Sequence, residues 1–242
     1  MSVENIAAKR ESLEQKAYER IKNKILSLEL LPGQAVSDFK LSSELGISRT
    51  PVREAIRMLI GDGLITLKEK GQFVSEINQD DIVDLCQARE AAETMVIRLV
   101  IENDLMTQAD LQHMRDLNDT IEEKRLKGQF FQTFIIDDDF HQYPAKICGN
   151  RRLLEEYRVL SLQMGRYRYL TLVDDQSKRL TCQEHLRIVN ALEAKNILAA
   201  EEAVRAHLRD VSVRYKSALA RIALDDWIRI IRNFSAIEQS PL

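Results

Sequence analysis

The sequence predicts a mainly α-helical protein of two domains: an N-terminal domain with one pair of short strands, and a C-terminal domain built only of helices. The chain has 242 residues, which is enough for two domains of ordinary size. It contains only 8 Gly and 4 Pro, a composition that favours long helices joined by few loops. Apolar residues recur at helical spacing along most of the chain and alternate, as in a strand, only near residues 64–74.

We predict that the first domain covers residues 1–77 and the second residues 78–242. The whole chain carries a net charge of −3, but the charge is not spread evenly. Residues 1–78 hold 12 Lys and Arg against 11 Asp and Glu, a net of +1, which leaves −4 for the rest. A near-neutral domain with a local basic patch can still bind nucleic acid, with an affinity that falls steeply as salt rises.

Residues 37–59 are predicted to form two short helices with Gly46 at the turn between them. Pro51 suits the first turn of the second helix, where its missing N–H has no cost. Ser48 or Thr50 can cap that helix through a side-chain oxygen. The pattern is that of a helix-turn-helix.

The second of these helices has one apolar face and one basic face. Three apolar residues repeat at helical spacing and are predicted to face the core: Val52, Ile56 and Leu59. Three arginines repeat every four residues on the opposite side: Arg49, Arg53 and Arg57. A helix of this kind can enter the major groove of DNA, with Arg side chains reaching guanine edges or phosphates. The alternative is a charged amphipathic helix whose arginines are only solvated.

The segment after this helix is typical of a two-stranded wing. Asp62-Gly63 ends the helix, and Leu64–Leu67 and Gly71–Val74 are short apolar segments on either side of a basic tip. The tip includes Lys68 and Lys70, which we expect to contact DNA phosphates.

The resemblance to a known family rests on three runs: Leu-Gly-Ile-Ser-Arg-Thr-Pro-Val-Arg-Glu-Ala-Ile, then Asp-Gly-Leu-Ile, then Gly-Gln-Phe-Val. Together they resemble the winged helix of the GntR family of bacterial transcription regulators. Relatives often carry a basic residue where this chain has Phe39, and the adjacent Lys40 can take its place. The resemblance implies a set of DNA-binding residues: Lys40, Ser48, Arg49, Thr50, Arg53, Arg57, Lys68, Lys70 and Gly71.

The second domain is predicted to begin with a helix that follows Asn78, a suitable N-cap, and runs to about Ile101. Its inward face is predicted to include Leu85, Ala92 and Met95. Further helices are predicted at about 107–126, 129–148, 150–173 and 177–195, and from 196 towards the C-terminus with a break near 218–225. No strand pattern follows the wing, so the second domain is predicted to be an all-helical bundle.

Histidines interrupt three apolar stripes of this bundle. His141 lies one turn after Asp137, and His185 and His207 lie on two other predicted helices. Three such histidines with one carboxylate could converge on zinc, nickel, manganese or iron, and their spacing does not select among these ions. The alternatives are a hydrogen-bonded core histidine at each position, or a buried Asp137–His141 ion pair. His113 is predicted to lie at the surface.

A second resemblance covers the bundle. Asp-x-x-x-His at 137–141, Gly-Asn at 149–150, Glu-His at 184–185 and Arg-Ala-His-Leu at 205–208 are similar to the FCD ligand-binding domain of FadR-like GntR regulators. Pro144 departs from the aliphatic residue usual in that domain and is predicted to kink its helix. The resemblance implies a divalent metal, zinc before nickel or manganese, held by four residues: Asp137, His141, His185 and His207. Asp138 or Asp139 is the alternative to Asp137.

The same resemblance implies that a small carboxylate effector completes the metal site. Arg89 matches a position that often faces the effector, and its planar fork suits a carboxylate. The alternative for Arg89 is a surface salt bridge with Glu90 or Glu93. Three further residues are predicted to add polar contacts to the effector: Arg166, Tyr167 and Arg168.

Three cysteines lack a C-x-x-C pairing and are predicted to be reduced core thiols of a cytoplasmic protein: Cys86, Cys148 and Cys182. We find neither a signal peptide nor an apolar run long enough to span a membrane.

We therefore predict a cytoplasmic, homodimeric transcription regulator, by default a repressor, that binds a near-palindromic double-stranded DNA operator and responds to a small organic acid. We predict no catalysis. The alternatives are a metal-dependent hydrolase that carries a DNA-binding domain, and a structural DNA-binding protein whose bundle only dimerises.

Overall fold

The computed structural model describes residues 12–167 and 175–221. The chain divides into two compact units, Met1–Glu76 and Ile77–Leu242, a division one residue before the predicted boundary. The first unit contains α1 (Leu13–Leu26), α2 (Asp38–Leu45), α3 (Arg49–Gly61), β1 (Ile65–Lys68) and β2 (Gly71–Val74). The second contains α4 (Gln79–Glu102), α5 (Gln108–Leu126), α6 (Phe130–Ile147), α7 (Arg151–Met164), α8 (Asp175–Glu193) and α9 (Ile197–Arg221).

The three helices of the first unit pack around one apolar core. Helix α3 packs against both α1 and α2, and its buried residues are Pro51, Val52, Ala55, Ile56 and Leu59. The predicted turn is present, since Gly46 ends α2 with a φ of 66°, a left-handed conformation that glycine adopts without strain.

Ser48 flanks the start of α3 as its N-cap, but its side chain makes no capping hydrogen bond. The prediction that Thr50 caps this helix is wrong, because Thr50 lies inside the first turn. Both side chains are therefore exposed and free to face a ligand of the helix.

The wing is an antiparallel hairpin. Ile65 pairs with Val74 and Lys68 with Gly71, which leaves a two-residue turn of Glu69 and Lys70. Gly71 has a φ of 133°, which suits glycine at the end of so tight a turn. The predicted winged helix-turn-helix is confirmed.

The second unit is a helical bundle with no β-strand among its described residues, 77–167 and 175–221. Helix α4 packs against α9 and α7, while α5 packs against α6 and α8. The core lies between these layers, and its buried side chains include Val100, Met114, Phe140, Tyr157, Val189 and Leu208. None of the helices in the described ranges is both long and apolar enough to cross a membrane.

Three details differ from the sequence prediction. Met95 is 44% exposed rather than inward, because the buried face of α4 runs through Ala92, Val96 and Val100. Helix α7 ends at Met164, not near 173, since Gly165 opens a short 3-10 turn that continues to Tyr167. Helix α9 is unbroken to Arg221, and the rest of the predicted break lies outside the described residues.

Candidate metal centre and nucleic-acid interface

Three histidines from three helices converge in the core of the bundle. His141 lies on α6, His185 on α8 and His207 on α9, and all three are buried. Each offers one ring nitrogen to a common point, and these nitrogens all lie within 4.8 Å of one another. His113, which was predicted to lie at the surface, is exposed on α5.

Two buried carboxylates fix the orientation of two of these rings. Glu93 on α4 bonds Nδ1 of His141 at 3.0 Å, and Glu184 on α8 bonds Nδ1 of His207 at 2.8 Å. A carboxylate that binds the outer nitrogen of a histidine sets its tautomer and turns its other nitrogen inward, as is common around metal ions in proteins. The Nε2 atoms of both rings therefore face the centre.

The two Nε2 atoms of His141 and His207 lie only 3.1 Å apart. Since both Nδ1 atoms hold the proton against a carboxylate, both Nε2 atoms present lone pairs to each other. Two lone pairs at this distance repel unless a proton or a metal ion lies between them. Ligand nitrogens on a tetrahedral zinc ion lie at a similar separation, roughly 3.3 Å, because each Zn–N bond is about 2.0 Å.

The third histidine lacks any hydrogen bond within the described residues. Both ring nitrogens of His185 are buried and unpartnered, and its ring stacks on Phe140 with centroids 4.0 Å apart. Its Nε2 lies 3.5 Å from Oδ1 of Asp137, the predicted fourth ligand. Burying a polar atom without a partner is unfavourable, so this ring has the surroundings of a ligand rather than of a hydrogen-bonded core histidine.

Burial favours the neutral form of His185 and His207. Burial, followed by the two neighbouring histidines, holds the pKa of His185 well below its ordinary value. Burial also lowers the pKa of His207, although the hydrogen bond to Glu184 acts in the opposite direction. Neutral imidazole is the form that binds a metal ion, so the donor set fits a divalent cation.

The two orienting carboxylates stay ionised in spite of burial. Burial raises the pKa of Glu93, but Arg89 and His141 outweigh it and bring the value to about 2. In the same way, hydrogen bonds from His207 and Arg214 bring the pKa of Glu184 to about 2 against the effect of burial. His141 and His207 are thus each bound to a full negative charge, which increases the basicity of the inward nitrogen.

A cavity of about 50 Å³ opens beside the histidines. Its polar lining includes Arg89, Thr133, Asp137, Thr181, His207 and Arg214. Arg214 is held by Glu184, to which its two terminal nitrogens donate at 2.7 and 2.8 Å.

Arg89 is buried and incompletely satisfied. Its Nε donates to Glu93 at 2.7 Å, whereas Nη2, although 2.7 Å from the same oxygen, makes no hydrogen bond of acceptable geometry. The salt bridge with Glu93 considered from the sequence exists, but at 6% exposure Arg89 is not at the surface. The guanidinium therefore has donor capacity left inside the cavity.

Two of the other predicted effector residues make contacts outside the cavity. Arg166 donates to Asp81 at 2.8 Å, and the hydroxyl of Tyr167 donates to the same carboxylate. Neither residue lines the cavity, so both connect the end of α7 to the start of α4 instead. Arg168 lies outside the described residues.

The position of Asp138 favours Asp137 over it as the fourth ligand. The carboxylate of Asp138 accepts hydrogen bonds from Tyr157 and Ser161 rather than facing the histidines. Burial raises the pKa of Tyr157 well above its ordinary value, so this hydroxyl remains a donor. Asp139, the other alternative, is exposed.

The predicted DNA-binding side chains lie at the surface of the first unit. Gly71 is half-buried, and the other eight are exposed: Lys40, Ser48, Arg49, Thr50, Arg53, Arg57, Lys68 and Lys70. In the wing, Lys68 binds Glu76 at 2.7 Å and lies over the ring of Phe73.

Sequence reasoning named Glu93 only as a possible salt-bridge partner of Arg89 and Glu184 only as part of the Glu-His motif, and it did not name Arg214. One signal was available for each. Glu93 lies one turn after Arg89 on an inward face, and Glu184 immediately precedes His185. Arg214 lies two turns after His207, at the seven-residue spacing that returns to the same face of a helix.

Comparison with known proteins agrees with both resemblances. Residues 84–210 match the FCD domain, and residues 13–74 match the bacterial regulatory proteins of the gntR family. The chain belongs to the GntR family and is a FadR-like, DNA-binding transcription regulator. These matches indicate a regulator and not an enzyme, which decides against the hydrolase alternative.

Its relatives include regulators from distant bacteria. The chain is 29% identical over 196 residues to an uncharacterised helix-turn-helix regulator in an unstable DNA locus of Streptomyces ambofaciens, covering 80% of this chain and 81% of that one. It is 27% identical over 217 residues to the Escherichia coli repressor RspR, covering 88% and 92%.

Solved structures show the same fold. Escherichia coli McbR/YncC superposes with a TM-score of 0.70 at 20% identity, covering 85% of this chain and 98% of that one. A GntR regulator from Rhodococcus sp. RHA1 superposes with a TM-score of 0.65 at 22% identity, covering 87% and 99%.

Proposed function

We propose that this GntR regulator is a cytoplasmic, metal-containing repressor whose affinity for its operator changes when a small carboxylate binds in the helical domain. The observation that carries the proposal is the buried cluster of three histidines beside a cavity that also holds the unsatisfied Nη2 of Arg89. Repression is the function named for the relative RspR, and it is the default for this chain.

The metal would be held by His141, His185 and His207, with Asp137 as the fourth ligand. Zinc is our first choice because it accepts histidine and carboxylate ligands in a four-coordinate site, and nickel and manganese are alternatives. When bound, the ion supplies a positive charge at the floor of the cavity, to which an oxygen atom of the effector can bind. Glu93 and Glu184 position two of the ligands.

The effector would bind through its carboxylate. Arg89 offers Nη2 to that group, and its planar guanidinium fits a carboxylate better than a point charge does. A further hydrogen-bonding group toward this ligand is Thr181 or Thr133, both of which line the same cavity. The cavity therefore combines cationic and hydrogen-bonding groups suited to an organic acid.

The DNA-binding unit would read a near-palindromic operator as a homodimer. The exposed face of α3 carries Arg49, Arg53 and Arg57, and the wing adds Lys68 and Lys70. The effector would act by stabilising one arrangement of the dimer over another, which requires different affinities for the two arrangements.

The decisive experiment is native mass spectrometry of protein purified without chelator or His-tag, combined with elemental analysis. We expect one divalent ion per chain and a co-purified acid whose removal changes operator affinity in a gel-shift titration. Protein that holds no metal, and whose melting curve does not move when zinc, nickel or manganese is added, would overturn the metal site. The bundle would then serve only in assembly.

A further inference from the structure

A second lobe extends the cavity away from the histidines. It measures about 30 Å³ and shares Arg89, Asp137 and two aromatic residues with the first lobe. Its own lining adds Asp138, Tyr157 and Ser161, none of which takes part in the proposed metal site. The two lobes are adjacent, since four lining residues are common to both.

The far lobe presents hydrogen-bond acceptors. The hydroxyls of Tyr157 and Ser161 both donate to Oδ1 of Asp138, at 3.1 Å for Tyr157, so both hydroxyl hydrogens are already used. What remains are the lone pairs of the two hydroxyl oxygens and Oδ2 of Asp138, which has no hydrogen-bond partner among the described residues. A group that binds beside Asp138 must therefore supply the hydrogen.

Arg89, which lines both lobes, has the opposite character. Arg89 supplies a buried donor with no hydrogen-bond acceptor for its Nη2, and the guanidinium lies over the ring of Tyr157, 5.8 Å from its centroid. Tyr157 thus spans the distance from the donor end to the acceptor end, since its ring contacts Arg89 and its hydroxyl binds Asp138. The cavity is polarised along this ring.

We infer that the effector is a short carboxylic acid that carries a hydroxyl or ammonium donor, and that Asp138, with Tyr157 and Ser161, recognises this donor. The inference rests on the proposed function, because it assigns the carboxylate to Arg89 and to the metal. The size of the cavity limits the acid. A water-sized group needs about 10–15 Å³, so the two lobes together accept roughly six non-hydrogen atoms.

Three acids with the same carbon skeleton test the inference on the wild-type protein. Propionate has no donor, lactate has a hydroxyl and alanine has an ammonium at the same position. Titration calorimetry of the metal-loaded dimer should show that lactate or alanine binds at least about tenfold more tightly than propionate, because propionate cannot make the hydrogen bond to a charged group. The stronger of the two identifies the donor.

Three variants test which residues cause the preference for an acid with a donor group. Asp138→Asn keeps the shape but turns an amide N–H₂ towards the cavity, so the preference over propionate should fall to within about twofold. Asp139→Asn makes the same change on the next, exposed residue and should leave the preference intact. Ser161→Val, which fills the lobe with a methyl group, should act like Asp138→Asn. Metal content should be the same in all three variants.

Each outcome has a distinct meaning. Equal affinities for propionate, lactate and alanine overturn the inference and leave the proposed function standing, because the carboxylate still binds. A preference that survives in both Asp138→Asn and Ser161→Val also overturns it, since other residues then recognise the donor group of the acid. If none of the three acids binds at millimolar concentration, the proposed carboxylate effector fails, and the inference fails with it.

Discussion

Arg49 and Arg53 share one carboxylate in the free protein. Asp38 at the start of α2 accepts a hydrogen bond from Nη2 of Arg49 at 3.0 Å and another from Nε of Arg53. Phe39 adds a contact, since the guanidinium of Arg49 lies 5.9 Å from its ring centroid. Two long side chains that would otherwise be mobile are thus held above the exposed face of α3, which reduces the entropy cost when they contact DNA.

Arg49→Ala and Arg53→Ala should each weaken binding to a duplex selected by the wild-type protein from a random library. Removing a bidentate contact to a base costs roughly 1–3 kcal/mol, whereas removing a phosphate contact lowers affinity for all sequences alike. Gel-shift titrations at fixed salt, with selected and unrelated duplexes, measure both effects. Lys127→Ala, an exposed change in the other unit, is the control. Wild-type affinity in both arginine variants would argue against this helix as the reading element.

Asp38→Asn tests whether Asp38 orients the two arginines or only repels the DNA phosphates. The hydrogen bond from Arg53, with that from Arg49, lowers the pKa of Asp38, so the residue is a carboxylate at neutral pH. Without this charge the protein should bind unrelated DNA more tightly, because one negative charge near the phosphates is gone. The ratio of specific to non-specific affinity should nevertheless fall, by roughly tenfold, since the arginines lose their orientation. An unchanged ratio in the same gel shifts would mean that Asp38 repels DNA and positions nothing.

At the scale of single elements, the wing offers the clearest electrostatic test. Lys70 lies in the tight turn, and Lys68 is held beside it by Glu76 and Phe73. Replacing both lysines with Ala should lower the slope of log affinity against log salt by about 0.9 for each DNA phosphate that is no longer neutralised. The slope is measured by fluorescence anisotropy over a salt series. The control is the double variant Lys16→Ala, Lys22→Ala, which removes the same charge from α1. A wild-type slope in the Lys68/Lys70 variant would show that the wing does not approach the DNA backbone.

The start of α5 combines a helix cap with a contact between helices. Thr107 and Asp110 form a capping box, and the other oxygen of Asp110 accepts from the hydroxyl of Tyr143 on α6 at 2.6 Å. Asp110→Ala should therefore lower the free energy of unfolding by about 1–2 kcal/mol, the range for removal of a cap. Asp119→Ala, an exposed change further along the same helix, should lower it much less. Equal urea midpoints for the two variants would mean that the box contributes nothing.

This cap also has a defined pH dependence. Hydrogen bonds from Thr107 and then from Tyr143 lower the pKa of Asp110 below its ordinary value. Because the folded state holds the proton more weakly than the unfolded state, the stabilisation is fully present above the ordinary pKa and is lost as pH falls through the lowered value. The difference in unfolding free energy between wild type and Asp110→Ala should therefore shrink at acid pH and stay constant near neutrality.

The elements themselves were largely predictable because they depend on local signals. The spacing of apolar residues, the helix caps and Gly46 predicted the helices of the DNA-binding unit and the strands of the wing. The end of α7 was missed because the apolar pattern continues beyond Gly165, and periodicity alone does not show where a chain leaves the helix. Thr50 was placed at a cap for a similar reason: several short polar residues precede Pro51, and sequence does not show which one lies outside the first turn.

At the scale of the whole molecule, the sequence predicted which histidines would meet but not what holds them. Each histidine was visible because it interrupts an apolar stripe. Glu93 and Glu184 were not, because a glutamate on an amphipathic helix is usually solvated, and only the packing of α4 against α6 brings Glu93 to His141. Arg166 and Tyr167 were assigned to the effector together with the family resemblance, and their contact with Asp81 was missed because Asp81 lies 85 residues before Arg166 in the chain. Partners separated this far are set by tertiary packing, which no local pattern encodes.

The stability of the helical domain should depend on a divalent metal. An ion that binds only the folded protein adds about 2.7 kcal/mol at a hundredfold excess over its dissociation constant, or roughly 5–10 °C in Tm for a chain of this size. The effect arises because α6 contributes two of the proposed ligands and α8 and α9 one each, so that the ion connects the three helices. Chelation should lower Tm by this amount in calorimetry, and added zinc should restore it.

Variants at the cluster test the same dependence one ligand at a time. His141→Ala, His185→Ala and His207→Ala should each lose the zinc-dependent rise in Tm, and His113→Ala, on the exposed face of α5, should keep it. The comparison is made within each variant, with and without zinc, so that the effect of removing a buried ring on packing cancels. Affinity for a carboxylate should fall in the same three variants, because the ion forms part of the proposed effector site. A zinc-dependent rise that persists in all three would place the metal away from these histidines and leave Glu93 and Glu184 as partners of an ordinary polar core.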